Sequence, residues 1–301
     1  MNWADHSAYI ELYPKEEFNY EECLLFLGRS DLEVTHQIRD GILYKLIKGD
    51  EECLLLKITG TSQSIKAEFP LGSCSAKARQ EAAKYIWEWF DLDRDLEGFY
   101  NIARKDKILQ PLIQNYYGLR IMGIPNLFEA ITWAIMGQQI NLTFAYTLKK
   151  RFTEQFGECL IFEGEPFWLF PEAEKIAALR VEDLRMLQFT SRKAEYIIGI
   201  AKAMAAGELT KEHLLQGSFE QMHSKLTAIR GIGSWTADYV IMKCLRHPNA
   251  FPIADVGLHN ALKLQLALPS KPSLEEIREM AMGWEGWQAY AVFYLWRSLY
   301  V

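Results

Sequence analysis

The 301-residue sequence predicts an α+β fold: a small N-terminal antiparallel sheet with helices over residues 1–92, then an all-α domain over residues 93–301. Two β-rich runs, GILYKLIK (41–48) and ECLLLKIT (52–59), point to the sheet. Capping patterns that precede apolar residues at helical spacing, with no convincing strand from about residue 91 onward, point to the helical remainder.

In chain order, NYEECLLFLGR opens the first helix, because Asn19 is followed three residues later by Glu22. The β-rich runs flank a short Gly-Asp-Glu turn and read as a hairpin, and IKAEFP (65–70) reads as a further strand. AKARQEAAKYIWEWF (76–90) is a second amphipathic helix, and the domain boundary falls near residues 90–95. Beyond it, Asn126 with Glu129, Ser218 with Gln221, and Ser273 with Glu276 each open a helical run. No internal repeat or low-complexity linker interrupts the chain.

Composition excludes several classes. Half of the residues are apolar, enough for two cores, and 13% are aromatic, so some rings are free to line a site. The cysteines at 23, 53, 74, 159 and 244 show no CxxC spacing and only one lies beyond position 159. That argues against zinc, an iron–sulfur cluster or a disulfide framework and leaves buried free thiols. No nucleotide-type glycine-rich loop or HExxH run is present. The N-terminal stretch carries acids and no apolar signal segment, and the longest apolar run, 290–296, falls far short of the roughly 20 residues of a membrane span. A cytoplasmic protein without membrane partners is expected.

The net charge of −6 weighs against a nucleic-acid partner, but residues 1–60, with twelve acids and six bases, hold the whole excess. Residues 221–247 carry Lys225, Arg230, Lys243 and Arg246 against Asp238 alone, a local +3 that permits DNA binding without establishing it.

The stretch LTAIRGIGSWTADYV (226–240) places Gly231 and Gly233 between two predicted helices, 218–229 and 234–244. Both glycines are expected to allow positive φ and to leave backbone N–H groups uncovered. A helix N-terminus with free N–H groups suits a phosphate. Ser234 is expected as the N-cap and Thr236 as a hydroxyl donor in the first turn. A plain turn between helices would use the same glycines. Leu226 and Ile232 can pin the turn to a core, while Lys225 and Arg230 flank it.

This stretch resembles the helix-hairpin-helix motif with which DNA glycosylases grip a backbone phosphate without reading sequence. The resemblance implies a monovalent cation on the main-chain carbonyls of Thr227, Ile229 and Ile232, and no other cofactor. Downstream, in HPNAFPIADVGLHNAL (247–262), Pro252 breaks the helical run and Asp255 precedes a new one, so Asp255 is expected as an N-cap. Glycosylases of this superfamily place their catalytic aspartate at that position. Breaking an N-glycosidic bond builds positive charge on the sugar, which a nearby carboxylate stabilises in the transition state. The same group can orient or deprotonate the attacking water.

Strand-cutting glycosylases carry a lysine two residues after the second hairpin glycine, whose amine forms a Schiff base. Here that residue is Trp235, so the chain resembles the monofunctional kind. Trp235 presents a π-face that attracts cations, and Tyr239 shares its side of the helix; both would equally serve as core aromatics. The pairing of Trp235 with Asp255 most resembles the DNA-3-methyladenine glycosylase II family, the bacterial alkylation-repair branch. NLFEAITWAIMGQQINLTFAYTLKKRF (126–152) supports it: two helices meet at Gly137-Gln138-Gln139, with Asn141 capping the second. The resemblance implies that Gln138 borders the base pocket and Gln139 wedges into the duplex. In WEGWQAYAVFYLWRSLY (284–300), Trp296 aligns with a tryptophan that backs the pocket. FWLFP (167–171) and SRKAEYI (191–197) are also family-like, while Gln188 stands where the family has glycine. Over residues 1–90 only the order of elements agrees.

The resemblance therefore implies a helix-hairpin-helix glycosylase domain, acting as a monomer at the bacterial nucleoid. It would excise bases of the 3-methyladenine and 7-methylguanine type from double-stranded DNA. A glycosylase for oxidised, deaminated or mismatched bases, and a non-catalytic helix-hairpin-helix DNA-binding protein, stay open as alternatives. Trp235 in place of lysine argues against a strand-cutting relative, and Asp255 with the paired glutamines against a non-catalytic one.

Overall fold

ILYKLIK and CLLLKITG are strands covered on both faces at their middles: Leu43, Leu56 and Ile58 turn fully into the main core, while Leu46 and Leu55 are buried in a second cluster on the other side. The computed structural model describes residues 1–15, 17–50 and 52–300. Its strands are β1 (Trp3–Asp5), β2 (Tyr9–Leu12), β3 (Gln37–Arg39), β4 (Ile42–Lys48), β5 (Cys53–Gly60) and β6 (Ile65–Glu68). They form one antiparallel sheet of order β1-β2-β6-β5-β4-β3. The expected hairpin is β4–β5, closing at Lys48 opposite Cys53; Glu51 of its turn lies outside the described residues. Helices α1 (Tyr20–Leu27) and α2 (Ala76–Trp89) belong to this half, and α2 packs on β1, β2 and β5.

Helices α3 (Glu97–Ala103), α4 (Leu109–Asn115), α5 (Leu127–Gly137) and α6 (Leu142–Phe156) begin the second half. The expectation of no strand beyond residue 91 is wrong at one place. Cys159–Phe162 (β7) and Glu165–Trp168 (β8) pair as a two-stranded hairpin. Its tip, Glu163-Gly164, has φ of 53° and 82°, and two positive-φ residues are what a two-residue hairpin requires. The hairpin survives because Phe167 buries itself with Leu46 and Leu55 of the large sheet, a partner that its own short sequence does not reveal.

The chain then continues through α7 (Ala173–Ala177), α8 (Val181–Arg185), α9 (Ser191–Ala205), α10 (Lys211–Leu215), α11 (Phe219–Thr227) and α12 (Ser234–Lys243). It ends with α13 (Val256–Gln265), α14 (Leu274–Met280) and α15 (Gln288–Arg297). Gln188, between α8 and α9, adopts φ 74°, so it takes the left-handed backbone of a glycine despite its side chain. The Arg151 guanidinium donates to its Oε1 and holds it there.

Ser218 with Gln221 and Ser273 with Glu276 form complete reciprocal capping boxes. Asn19 and Asn126 cap α1 and α5, but their Glu partners turn elsewhere. Glu22 accepts from Arg297 Nε of α15 at 2.8 Å, and Glu129 pairs with Lys149 of α6 at 3.0 Å. Lys149 also pairs with Glu33 at 2.9 Å, which ties the segment before β3 to the helices. One apolar core runs through both halves, from Ile10 and Leu56 to Phe293 and Leu295. All five cysteines are free, but only Cys23 and Cys244 are buried, and Cys159 is exposed; burial follows the tertiary face that each meets. No helix of the described residues is long and apolar enough to cross a membrane.

Candidate active site

The hairpin of α11 and α12 is held from beneath by Leu226 and Ile232, both buried as expected. The two glycines differ in their reasons. Gly231 has φ 96°, and a Cβ there would stand 2.3 Å from the Tyr196 ring of α9. Gly233 has φ −89° and meets nothing, so the expected need for positive φ holds at Gly231 alone. Gly233 is itself the N-cap of α12, displacing Ser234, the expected cap, into the helix. Ser234 Oγ instead hydrogen-bonds His223 Nε2 at 3.1 Å. Gly233 and Ser234 are exposed, and among the described residues no partner takes their N–H groups. That leaves two N–H donors at a helix N-terminus facing outward.

Only part of the local +3 reaches the surface. Lys243 is buried, Arg246 pairs with Asp91 and Asp93, and Arg230 pairs with Glu195 at 2.8 Å. Lys225 and Arg230 stay exposed beside the hairpin, where the dipole of α12 adds to them.

Asp255 caps α13, accepting from Leu258 N at 2.8 Å. Its two oxygens are also gripped by two indoles: Trp296 Nε1 donates to Oδ1 at 2.7 Å and Trp235 Nε1 to Oδ2 at 2.9 Å. The carboxylate is half-buried and fixed in orientation by three N–H groups from α12, α13 and α15. Tyr239 lies between the indoles, its ring 5.7 Å from Trp235 and 6.0 Å from Trp296, each tilted by about 35°. Three aromatic faces thus curve beside one carboxylate. Trp235, Tyr239, Asp255 and Trp296, which sequence spacing scatters over sixty residues, meet at one place.

Residues 132–286 match the profile of the HhH-GPD superfamily base excision DNA repair protein. The chain belongs to the HhH-GPD superfamily. Residues 13–131 match the N-terminal domain of 8-oxoguanine DNA glycosylase, a range that takes in β3 to β6 of the six-stranded sheet. Across the whole of both chains, the sequence is 44% identical to DNA-3-methyladenine glycosylase of Bacillus subtilis. Among solved structures it resembles 3-methyladenine DNA-glycosylase from Archaeoglobus fulgidus, with TM-score 0.83 and 27% identity over 95% of this chain and 96% of that one. The 8-oxoguanine glycosylase/lyase of Clostridium acetobutylicum, solved with double-stranded DNA, shares the fold at TM-score 0.77 and 18% identity over 99% and 97% of the two chains.

Around the HhH-GPD hairpin, the expected outward hydroxyl of Thr236 takes another role. Thr236 is buried and its Oγ1 accepts from Gln138 Nε2 at 3.0 Å, so its hydroxyl faces inward, away from solvent. Gln138 Nε2 also donates to Gly231 O at 3.0 Å. Gln138 therefore locks the α5–α6 turn to the hairpin through its amide nitrogen. Gln139, the next residue, is exposed at the tip with φ 56° and makes no side-chain hydrogen bond among the described residues. Asn141 caps α6 as expected.

Two site residues escape sequence reasoning. Trp133 Nε1 donates to the Tyr239 hydroxyl at 2.9 Å and fixes that ring, but it sits in a helix that, Glu129 and Thr132 apart, reads as apolar core. Gly257 has no room for a Cβ beside Asp255; the only signal was a glycine inside a helical first turn.

Proposed function

We propose that this HhH-GPD protein is a monofunctional DNA glycosylase that excises alkylated bases, of the 3-methyladenine and 7-methylguanine type, from double-stranded DNA in base excision repair. The observation that carries this reading is the Asp255 carboxylate, held by Trp235 and Trp296 beside an aromatic wall. The exposed N–H groups of Gly233 and Ser234 receive a backbone phosphate, a contact that positions without reading sequence. Of the carbonyls assigned to a monovalent cation, that of Ile229 accepts from Ile232 N–H at 3.0 Å and keeps a second lone pair, while among the described residues those of Thr227 and Ile232 take no hydrogen bond outside helices. These oxygens suit such a cation, which would add positive charge facing the phosphate.

The damaged nucleotide rotates out of the stack, and Gln139 fills the space it leaves. Trp235, Tyr239 and Trp296 receive the base; their π-faces attract a cationic N-alkylpurine more than a neutral normal base. As the N-glycosidic bond stretches, Asp255 faces the positive charge growing on the sugar and orients the attacking water. No amine stands at position 235, so the product is an intact abasic strand. Such a protein works as a monomer on chromosomal DNA in the cytoplasm.

Base release from methylated duplex DNA tests the reading, with borohydride added to trap any covalent adduct. Release of 3-methyladenine or 7-methylguanine with no trapped adduct is expected. A trapped adduct would mean that another amine acts as nucleophile, and release of unalkylated oxidised bases alone would move the protein to another branch.

A further inference from the structure

Lys193 stands in the first turn of α9, fixed there by the Thr190 cap, which accepts from Lys193 N. A cation is disfavoured at that positive end of a helix. Lys193 is buried all the same, and among the described residues it makes no ion pair. Burial lowers the pKa of its ammonium from the usual range, with no carboxylate opposing the shift. Its single partner is a carbonyl: Nζ donates to Met136 O at 2.8 Å. Met136 lies in the last turn of α5, where carbonyls have no N–H of their own helix to accept and the helix dipole is negative. Lys193 thus breaks the charge rule of its own helix to satisfy the end of another. Such local violations mark places where function sets the residue.

The end of α5 carries the exposed Gln139, three residues beyond Met136. Gln139 has φ 56° and no side-chain hydrogen bond among the described residues, so its position depends on the backbone to either side. On one side Gln138 bonds Gly231 O and Thr236 Oγ1; on the other Asn141 caps α6. Lys193 fixes the helix end from which the turn departs. One turn further along α9, Tyr196 fills the space that a Cβ on Gly231 would need. The same helix therefore braces both the α5–α6 turn and the α11–α12 hairpin. A Cβ on Gly137 would meet the Trp235 indole at 3.9 Å, so this end of α5 also borders the aromatic wall.

We infer that Lys193 is the positioning residue of the Gln139 wedge: its bond to Met136 O keeps the end of α5 from yielding while Gln139 takes the place of the flipped base. This rests on the glycosylase reading above and assigns a residue to base flipping, separate from bond cleavage. Flipping costs most when the damaged base has a partner and least when it has none. A loosened wedge therefore slows release of a paired lesion and spares an unpaired one. Damage to the packing or to the chemistry slows both alike.

The experiment measures single-turnover release of 7-methylguanine placed opposite cytosine or opposite an abasic residue, in otherwise identical duplexes. The proteins are wild type, Lys193→Met, Lys193→Gln and Gln139→Ala; the shorter, polar glutamine serves if methionine impairs folding. Each Lys193 variant is expected to slow release opposite cytosine by at least about tenfold, and opposite the abasic residue by less than about threefold. Gln139→Ala is expected to show the same selective loss. Adding Lys193→Gln to it should cost less than about threefold more, because both act through one contact. Equal slowing of the two substrates by the Lys193 variants, unchanged release opposite cytosine, or full additivity with Gln139→Ala overturns the assignment. If the wild type releases the base but Gln139→Ala shows no selective loss, Gln139 is not the wedge and the assignment falls with it. Failure of the wild type to release the base from either duplex would overturn the glycosylase reading itself, and this inference with it.

Discussion

Gly257 leaves no space for a side chain beside Asp255: a Cβ there would stand 2.8 Å from Oδ1 and 3.2 Å from the Trp296 indole. Either the carboxylate or the indole must move to admit it. Alanine is otherwise the better helix former, so the penalty falls on the site more than on the fold. Gly257→Ala is expected to lower the single-turnover excision rate by at least about tenfold, since small displacements of a reacting group are costly. Its melting temperature should stay near that of wild type. Undiminished excision in a folded Gly257→Ala protein would show that the position of Asp255 is not critical.

Asp255→Asn removes the charge and is expected to slow excision by at least about 100-fold, the scale of losing an electrostatic stabiliser. It also disturbs the structure, because the carboxylate accepts from an N–H on each side. An asparagine amide has one oxygen, and its NH₂ must face an indole donor or the Leu258 N–H. A stability loss of roughly 1–3 kcal/mol is expected in thermal melts. Near-normal turnover would end the proposed mechanism.

Asp238, next to the hairpin, is pushed by burial from 3.8 up to about 6, against the pull of His223 at 3.9 Å. The folded protein holds this proton more tightly than the unfolded chain. The stabilisation it brings is therefore complete below the unfolded value near 4 and is lost as pH rises through about 6. Asparagine mimics the protonated form at every pH. Asp238→Asn is expected to stabilise the protein by roughly 1–3 kcal/mol at about pH 8 and to be close to neutral at about pH 4. Equal effects at both pH values would show that the carboxyl does not titrate in this range.

The two hairpin glycines are expected to fail differently. Gly231→Ala meets both the Tyr196 ring and an unfavourable φ, so it should lower the melting temperature markedly. Gly233→Asp has open space and an ordinary φ, so it should fold, yet its charge opposes a phosphate at the α12 N-terminus. Duplex affinity should then fall on any sequence, and affinity of the wild type should fall with salt only shallowly, because few side-chain cations face the DNA. Unchanged affinity per folded Gly233→Asp molecule would reduce the hairpin to a turn.

Local hydrogen bonding was legible in the sequence alone. Asn19, Asn126, Ser218, Asp255 and Ser273 all cap the helices they precede, because a cap reaches only three residues along the chain. The β4–β5 hairpin and the helix-hairpin-helix turn were legible for the same reason: each is a pattern of neighbours. The sequence also named Trp235, Tyr239, Asp255 and Trp296, although as spaced positions and not as a cluster.

What each long side chain touches was decided by tertiary structure. Glu22 and Glu129 had the right spacing for reciprocal caps but found Arg297 and Lys149 across the fold. Lys243 and Arg246 counted as surface charge in the sequence, and one is buried while the other is paired. Gln138 and Thr236, almost a hundred residues apart, spend their polar groups on each other. The β7–β8 hairpin formed because the sheet offered Phe167 a place to bury. A cap or a tight turn is settled by hydrogen bonds a few residues long, whereas a buried charge, a committed amide or a steric limit such as Gly257 depends on which distant surface the folded chain brings against it.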